Sequence, residues 1–528
     1  MNSFWKSLIL RLVYTPLLKC SVFLSYVRFK WGLSFQEKDQ RKILERLLRK
    51  QWMMCPLDTT KMREEDYYSY LRESFPISSY SDWKESIEKE QKGERVLAEK
   101  PFLFQPTSGS SHAKKWIPYS ASLMEEFQEA IGPWLFDLLK QYPKISQGKQ
   151  YWSLSWLPEE MRLSGKSNDD LSYFPPFQRW VLNKCLCCPP SVSLAKTMRG
   201  SRLATCTYLA ACRDLTFIFI WGPTYFLELL EFLYAEKEMI QSFLKKGDWG
   251  SLSDDLDGIP SLKSEESADL LEKFSDTMNL EDLKKLWPRL ELISCWDTGT
   301  SATWALKLRR LFPRARVQGK GLFATEGVVT IPFEGEYLLS YRSHFYEFKC
   351  LETHKIMPSW ELKEGQRVAP IISSGNGLFR YLLKDELRVV KGKGKAFSLV
   401  FQGRIEGLDL VGEKLTEKVA KNVLQILSQK RPLKPISLLG FSGEELKRPF
   451  YLALFEGNGP SEEDLDFLSQ KGEELLKEHF HYRLARELNQ LGHLKVKVLP
   501  HAIEFYLNLK KKGGMVEGDI KIDFLTKV

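Results

Sequence analysis

The residues best equipped for chemistry lie in one short stretch, Gln105-Pro106-Thr107-Ser108-Gly109-Ser110-Ser111-His112-Ala113-Lys114-Lys115. Four hydroxyl residues surround a single glycine, and two lysines follow. Backbone N–H groups, hydroxyl donors and positive charge can converge on one anion in such a loop, and phosphate is the anion it suits. A helix follows, but Pro118 stands between, which weakens any dipole contribution. The stretch has too few glycines to be the Gly-x-x-x-x-Gly-Lys-Ser/Thr loop. Taken alone, a solvated Ser/Gly loop accounts for it as well. His112 is a secondary candidate for the same anion. Cys185, Cys187 and Cys188 invite a metal, yet no His or second Cys pair lies at ligand spacing, so buried or incidental thiols are the better account. His479 and His481 point to different faces of a helix and do not form a metal pair.

The loop is the first of a series. Downstream lie Gly321-Leu322-Phe323-Ala324-Thr325-Glu326-Gly327, then Gly377-Leu378-Phe379-Arg380-Tyr381 with Asp385 four residues on, then Gly403-Arg404, then Gly412-Glu413-Lys414-Leu415-Thr416-Glu417. In order and spacing this set resembles the adenylate-forming superfamily, which includes acyl-CoA ligases and firefly luciferase. It looks closest to the auxin- and jasmonate-conjugating acyl acid–amido synthetases of plants and their bacterial relatives. Local features carry the likeness: Lys115-Trp116-Ile117-Pro118 closing the loop, Trp296 ahead of Gly299 and a helix leading to Gly321, and Tyr337-Leu338-Leu339 followed by Phe345-Tyr346-Glu347-Phe348. It spans about residues 75–528.

The resemblance implies ATP and Mg2+ as cofactors, with a carboxylic acid and an amine or amino acid as substrates. A carboxylate must attack the α-phosphate, so two anions approach and pyrophosphate must leave with its charge neutralised. On that likeness Thr107, Ser108, Gly109, Ser110 and Ser111 would hold the β- and γ-phosphates, with Lys115 or Lys114 adding charge. Glu326 would coordinate Mg2+, and Thr325 would bond the α-phosphate. Phe323 would stack on adenine, Asp385 would accept from the ribose hydroxyls, and Arg404 would add a ribose or phosphate contact. Lys521, within Gly513 to Lys521, would be the catalytic lysine, delivered by domain closure about a hinge near Arg404 to Gly412.

Departures from the family pattern fall at named positions. His112 and Ala113 replace a glycine-containing continuation of the loop. Leu322 stands where an aromatic is common, which moves adenine stacking to Phe323 or another ring. Lys384 precedes Asp385 in place of Gly. Ile522-Asp523 follows Lys521 in place of Pro-Arg, which weakens that assignment most. Two other functions stay open: an acyl-CoA ligase using the same half-reaction, and a non-catalytic nucleotide-binding protein.

The elements that must position these residues read as an α/β protein. Strand-like runs at Tyr151–Trp156, Thr216–Trp221, Leu292–Trp296 and Arg316–Gly319 alternate with helical stretches at Ser120–Lys140, Tyr225–Phe243, Ser267–Leu286 and Ser301–Leu311. A partly parallel sheet is expected. From Glu336 to Phe401 strand follows strand, a β-rich subdomain. Beyond Gly407 come helix 412–430, strand 449–456, helix 461–491 with Ser461 as its cap, strand 494–499 and helix 501–511. The expectation is a large adenylate-forming domain, 1–406, and a small mobile α+β lid domain, 407–528.

Composition bounds the rest. The chain has 528 residues, 43% of them hydrophobic and 27% charged, with a net charge of +9 spread along its length. That distribution favours an anionic small ligand over nucleic acid. Nine cysteines without a secretory pattern suit free thiols and a cytoplasmic setting. Phe4 to Val27 is apolar but interrupted by Lys6, Arg11 and Lys19, too broken to be a membrane span. It reads as an amphipathic helix packed on the body, with peripheral membrane contact as the sharper alternative. A monomer is expected. The 15 Trp and 32 Phe are compatible with an apolar acyl pocket, and equally with core.

Overall fold

The computed structural model describes the chain apart from residues 1–9, 53–65, 98, 107–114, 155, 157–169, 393–395, 406, 409, 412, 414, 430–431, 443–445, 447, 488–489, 513–514 and 516–519. Two units divide it. The first holds Met1–Pro106, Trp116–Leu383 and Leu387–Phe401, and the second holds Thr107–Lys115, Lys384–Glu386 and Gln402–Val528.

In the first unit, β1 (Leu103–Pro106) pairs antiparallel with β2 (Trp116–Tyr119). A parallel sheet follows, in the order β3 (Lys149–Trp152), β4 (Leu215–Phe219), β5 (Leu292–Ser294), β6 (Arg316–Gln318). All five residues of β4, Leu-Thr-Phe-Ile-Phe, are buried, the continuous apolar run expected of a strand covered on both faces. The expected parallel sheet is therefore present. The Ala121–Gln141 helix starts at Ser120, whose hydroxyl accepts from the Leu123 N–H.

The β-rich part begins with a small hairpin, β7 (Phe323–Ala324) and β8 (Gly327–Val328). An eight-stranded sheet then uses β9 (Thr330–Phe333), β10 (Glu336–Leu339), β11 (Phe345–Cys350), β12 (Ile356–Pro358), β13 (Arg367–Ser373), β14 (Tyr381–Leu382), β15 (Asp385–Lys391) and β16 (Phe397–Arg404). Its order is β12-β11-β13-β15-β16-β10-β9, with β14 beside β13. Two N-terminal helices complete this core. Thr15–Gly32 turns Leu18, Val22, Tyr26 and Phe29 inward, and the Phe29 ring lies 4.9 Å from those of Phe333 and Tyr341. Gln36–Trp52 buries Ile43, Leu44, Leu47 and Leu48. On it the carboxamide of Gln40 donates to the carbonyls of Tyr341 (2.6 Å) and His344 (2.7 Å) and accepts from Tyr346 N–H (2.9 Å).

The second unit packs a sheet ordered β19 (Lys495–Leu499), β18 (Phe450–Glu456), β17 (Lys434–Phe441), β20 (Leu525–Lys527) against the helices Glu417–Ser428, Glu462–Lys477 and Ala502–Lys512. Ser461 caps its helix as expected, accepting from Asp464 N–H at 3.2 Å.

Several helices are shorter than the sequence periodicity implies. Tyr225–Phe243 is two helices, Pro223–Ala235 and Lys237–Lys246, broken at Glu236, which Arg199 grips through both carboxylate oxygens. Ser267–Leu286 is Glu265–Glu272 and Leu280–Leu286, separated where Asn279 caps the second. Helix 461–491 is Glu462–Lys477 and Phe480–Glu487. Helix 412–430 begins only at Glu417, capped by Thr416. Within the expected strand-rich stretch Glu336–Phe401, the segment Gly377–Leu382 is strand only at Tyr381–Leu382, because Arg380 takes a left-handed φ of 48°.

Candidate functional site

In the first unit the geometry centres on the β7–β8 hairpin, whose two turn residues are Thr325 and Glu326. Two-residue hairpin turns ordinarily need positive φ to match strand twist. Neither residue has it. The turn is instead held from outside. The Tyr119 hydroxyl donates to the Thr325 carbonyl at 3.0 Å. The Tyr381 hydroxyl lies 3.4 Å from Glu326 Oε1. Val328 is fixed at both ends of its peptide unit: its N–H donates to His344 Nε2 at 3.1 Å, and its carbonyl accepts from the Tyr346 hydroxyl at 2.5 Å. Burial, and then the neighbouring negative charge of Glu326, raises the Tyr381 phenol. Burial raises that of Tyr119 as well, so both remain donors.

His344 is completely buried, and its other nitrogen meets a carboxylate. Nδ1 stands 2.9 Å from Glu126 Oε2. The backbone N–H of Val328 can only donate, so Nε2 is the acceptor and the proton sits on Nδ1, directed at Glu126. Both carboxylate oxygens of Glu126 accept from the Gly375 N–H at 3.0 Å, and Arg46 lies 3.7 Å from Oε1. Glu126 thus joins the Ala121–Gln141 helix to the turn Ser374–Gly377, and His344 carries that anchorage to the Glu326 hairpin. Gly327 has no room for a side chain, since a Cβ there would lie 2.8 Å from His344 Nε2.

A second buried pair steadies the Gly377–Tyr381 segment. Arg380 donates to both oxygens of Glu347, at 2.8 and 2.9 Å, and Tyr68 donates to the same carboxylate at 3.1 Å. This bidentate pair holds Arg380 in its left-handed conformation and so sets the start of β14, which bears Tyr381. On the other flank of the hairpin, the Phe323 ring lies 6.0 Å from Trp221, and Trp221 lies 5.6 Å from Trp296. The buried ammonium of Lys320 sits over the rings of Phe219 and Trp221 and 3.3 Å from the Ser294 hydroxyl.

The second unit contains its own charged cluster. Arg404 Nε is 3.9 Å from Asp385 Oδ1. Lys521 is held below the usual lysine range, first by burial and then by the nearby Arg404, with Asp523, Asp385 and Glu417 acting against them. Burial raises the Asp385 carboxyl, opposed by Arg404 and Lys521. Glu417 is pushed up to about 7 by burial and by Asp523. The Tyr506 hydroxyl donates to the Lys521 carbonyl at 3.0 Å and fixes that stretch of chain.

The sequence-expected residues therefore fall into two groups. Phe323, Thr325 and Glu326 share the hairpin of the first unit. Asp385, Arg404 and Lys521 come together in the second, to which Lys115 also belongs. Thr107, Ser108, Gly109, Ser110, Ser111, His112 and Lys114 lie outside the described residues. A single carboxylate such as Glu326 fits Mg2+, which is typically bound by one or two carboxylates together with substrate phosphates. Among the described residues no group of three or more His, Cys, Asp or Glu converges as a metal site. Cys185 is pushed up to about 11 by burial, and Cys188 is raised by burial too, as structural thiols are. His344 and Glu126 were not singled out in the sequence. No local pattern marks them: Glu126 stands beside Glu125 and Glu129, and His344 follows Arg342 and Ser343.

The GH3 family N-terminal domain matches residues 34–317, and the GH3 family central domain matches residues 337–404. Two solved structures are similar over nearly the whole chain. "GH3.15 acyl acid amido synthetase" superposes with a TM-score of 0.73 at 18% identity, covering 95% of this chain and 93% of that one. "AtGH3.15 acyl acid amido synthetase in complex with 2,4-DB" gives 0.75 at 16% identity, covering 96% and 94%. At such identities the likeness is one of fold. No curated protein sequence matches the chain.

Proposed function

Because this chain belongs to the GH3 family, we propose that it activates a carboxylic acid with ATP as an acyl-adenylate and passes the acyl group to an amine, forming an amide. The observation that supports this most is the Thr325–Glu326 turn. A half-buried carboxylate on a two-residue turn, clamped by Tyr119, Tyr381, His344 and Tyr346, is a preorganised hard-cation ligand beside a hydroxyl suited to phosphate. Mg2+ held by Glu326 would neutralise the triphosphate as pyrophosphate leaves. Thr325 would bond the α-phosphate, and Thr107–Ser111 with Lys115 would receive the outer phosphates. Phe323 offers the adenine a ring face.

In the second unit, Asp385 would take the ribose hydroxyls and Arg404 would orient that carboxylate. Lys521, which burial holds below the usual lysine range, would serve in its protonated form the developing charge at the α-phosphate and the attacking carboxylate. The small domain is assigned to 407–528, with its hinge near Arg404 to Gly412. Substrates are small molecules: the acid, ATP and an amine such as an amino acid.

The test is acid-dependent ATP–pyrophosphate exchange across a panel of carboxylic acids, followed by product analysis with amino acids or CoA. Glu326→Gln should abolish exchange. Unchanged exchange refutes the metal assignment, and consumption of CoA alone refutes the amide half.

A further inference from the structure

The Thr15–Gly32 helix is apolar on two sides. Its inner side is committed to the core through Leu18, Val22, Tyr26 and Phe29. Its outer side should then be polar, as on an ordinary surface helix. It is not. Leu17, Phe23, Leu24 and Trp31 are exposed along it, Leu24 at 64% and Trp31 at 79% of full accessibility, and Leu12 and Val13 extend the strip through the preceding turn. At 100° per residue, Leu12, Val13, Leu17, Phe23, Leu24 and Trp31 occupy one sector opposite the buried stripe. Nearby, Trp180 packs edge-on against Tyr14 at 5.6 Å and stacks with Phe177, and both of these rings are themselves half exposed. Bare apolar surface of this extent on one face marks an interaction site.

The charges around the strip select its occupant. No Asp or Glu precedes Glu37 in the sequence, whereas Lys6, Arg11, Lys19, Arg28 and Lys30 do. Arg28 and Lys30 lie exposed at opposite edges of the apolar sector, Lys30 paired with Glu334 at 2.7 Å. A second copy of this chain would bring like charge against like charge across the same face. The described helices include none long and apolar enough to cross a membrane. An exposed strip of Leu, Phe and Trp that carries no acid of its own and is bordered by Arg28 suits the boundary between acyl chains and anionic headgroups. We propose that the outer face of the Thr15–Gly32 helix, with Phe177 and Trp180, docks the protein flat on an anionic lipid bilayer. The apolar strip enters the leaflet, and Arg28 with its basic neighbours meets lipid phosphates and carboxylates.

The experiment is vesicle flotation of the full chain with phosphatidylcholine alone and with phosphatidylcholine containing phosphatidylserine, each at low and high salt. Flotation with the anionic vesicles, weakened by salt, is the expected result. Leu24→Glu with Trp31→Glu should cut partitioning by about a hundredfold, roughly tenfold for each lost anchor. Trp31→Ala alone, the milder change, should give about tenfold. Arg28→Glu should weaken binding to the phosphatidylserine vesicles and leave the neutral ones unaffected. All three side chains are solvent-exposed, so thermal melting should be unchanged. Absence of flotation with anionic vesicles overturns the proposal. So does binding that is indifferent to both Trp31→Ala and the double variant, or a dimer in solution that the double variant dissociates while the wild type ignores vesicles.

Discussion

Replacing His344 by Phe tests whether the turn bearing Glu326 is held in place through a buried polar relay. Phe keeps a planar ring but is larger than His, so no cavity opens and a small overpacking cost joins the polar loss. Two groups lose their partner. The Val328 N–H, which donated to Nε2 at 3.1 Å, becomes a buried orphan worth about 1–3 kcal/mol. Glu126, only 2% exposed, keeps the Gly375 N–H but loses the Nδ1 donor at 2.9 Å, and a hydrogen bond to a buried charged group is worth about 1.5–3 kcal/mol. The two losses meet at one residue and do not simply add, so a total of about 3–5 kcal/mol is expected. His344→Gln should recover much of it, because a carboxamide can accept from Val328 and donate to Glu126. Urea unfolding of the three proteins measures this. Exchange assays against Mg2+ concentration report whether Glu326 has been displaced, with a roughly tenfold weaker Mg2+ dependence in the Phe variant. The reasoning fails if His344→Phe lies within about 1 kcal/mol of wild type, or if Gln and Phe are equally damaging.

Other outcomes follow from the same contacts. Gly327→Ala would place a Cβ 2.8 Å from His344 Nε2 and 3.0 Å from Ile372, and should destabilise the first unit by about 1–3 kcal/mol in the same urea assay. Arg380→Met strands the Glu347 carboxylate, itself 1% exposed, and should cost about 3–5 kcal/mol, with Glu347→Gln in the same chain relieving part of the loss. Glu417 has a folded value near 7, above its ordinary range, so its stabilising contribution is complete at low pH and is lost as pH rises through about 7. The unfolding temperature of the second unit should fall between about pH 5 and pH 8, and Glu417→Gln should flatten that slope.

Much of this was legible in the sequence for identifiable reasons. The parallel sheet announced itself through runs such as Thr216–Trp221, and the Ser461 cap through its residue type. The pairing of Asp385 and Arg404 within one cluster with Lys521 could be expected only from the family likeness, because no local pattern links positions so far apart. Helix ends were misjudged where tertiary contacts override periodicity: the apolar pattern runs unbroken through Glu236, and it is Arg199 that marks the break. The His344–Glu126 pair was hidden because its members stand 218 residues apart. Each alone is one polar residue among several charged and polar neighbours, and only the fold makes them partners.

The helix that docks Phe29 also has a consequence for synthesis. Its inner face is completed by Phe333 and Tyr341, the latter 312 residues later in the chain. At about 5–20 residues per second, the ribosome needs roughly 15–60 seconds to deliver that cover after Phe29 has been made. Throughout this interval the Phe29 part of the inner face lacks its final cover, although the Ala121–Gln141 helix, whose Phe136 ring lies 4.4 Å from that of Tyr26, is made much sooner. The nascent chain must be kept from self-association by whatever meets it first, and sticky N-terminal intermediates, rather than an unstable finished protein, should dominate failures of expression. Slowing synthesis before residue 341 would lengthen that window, and supplying chaperone early would shield it.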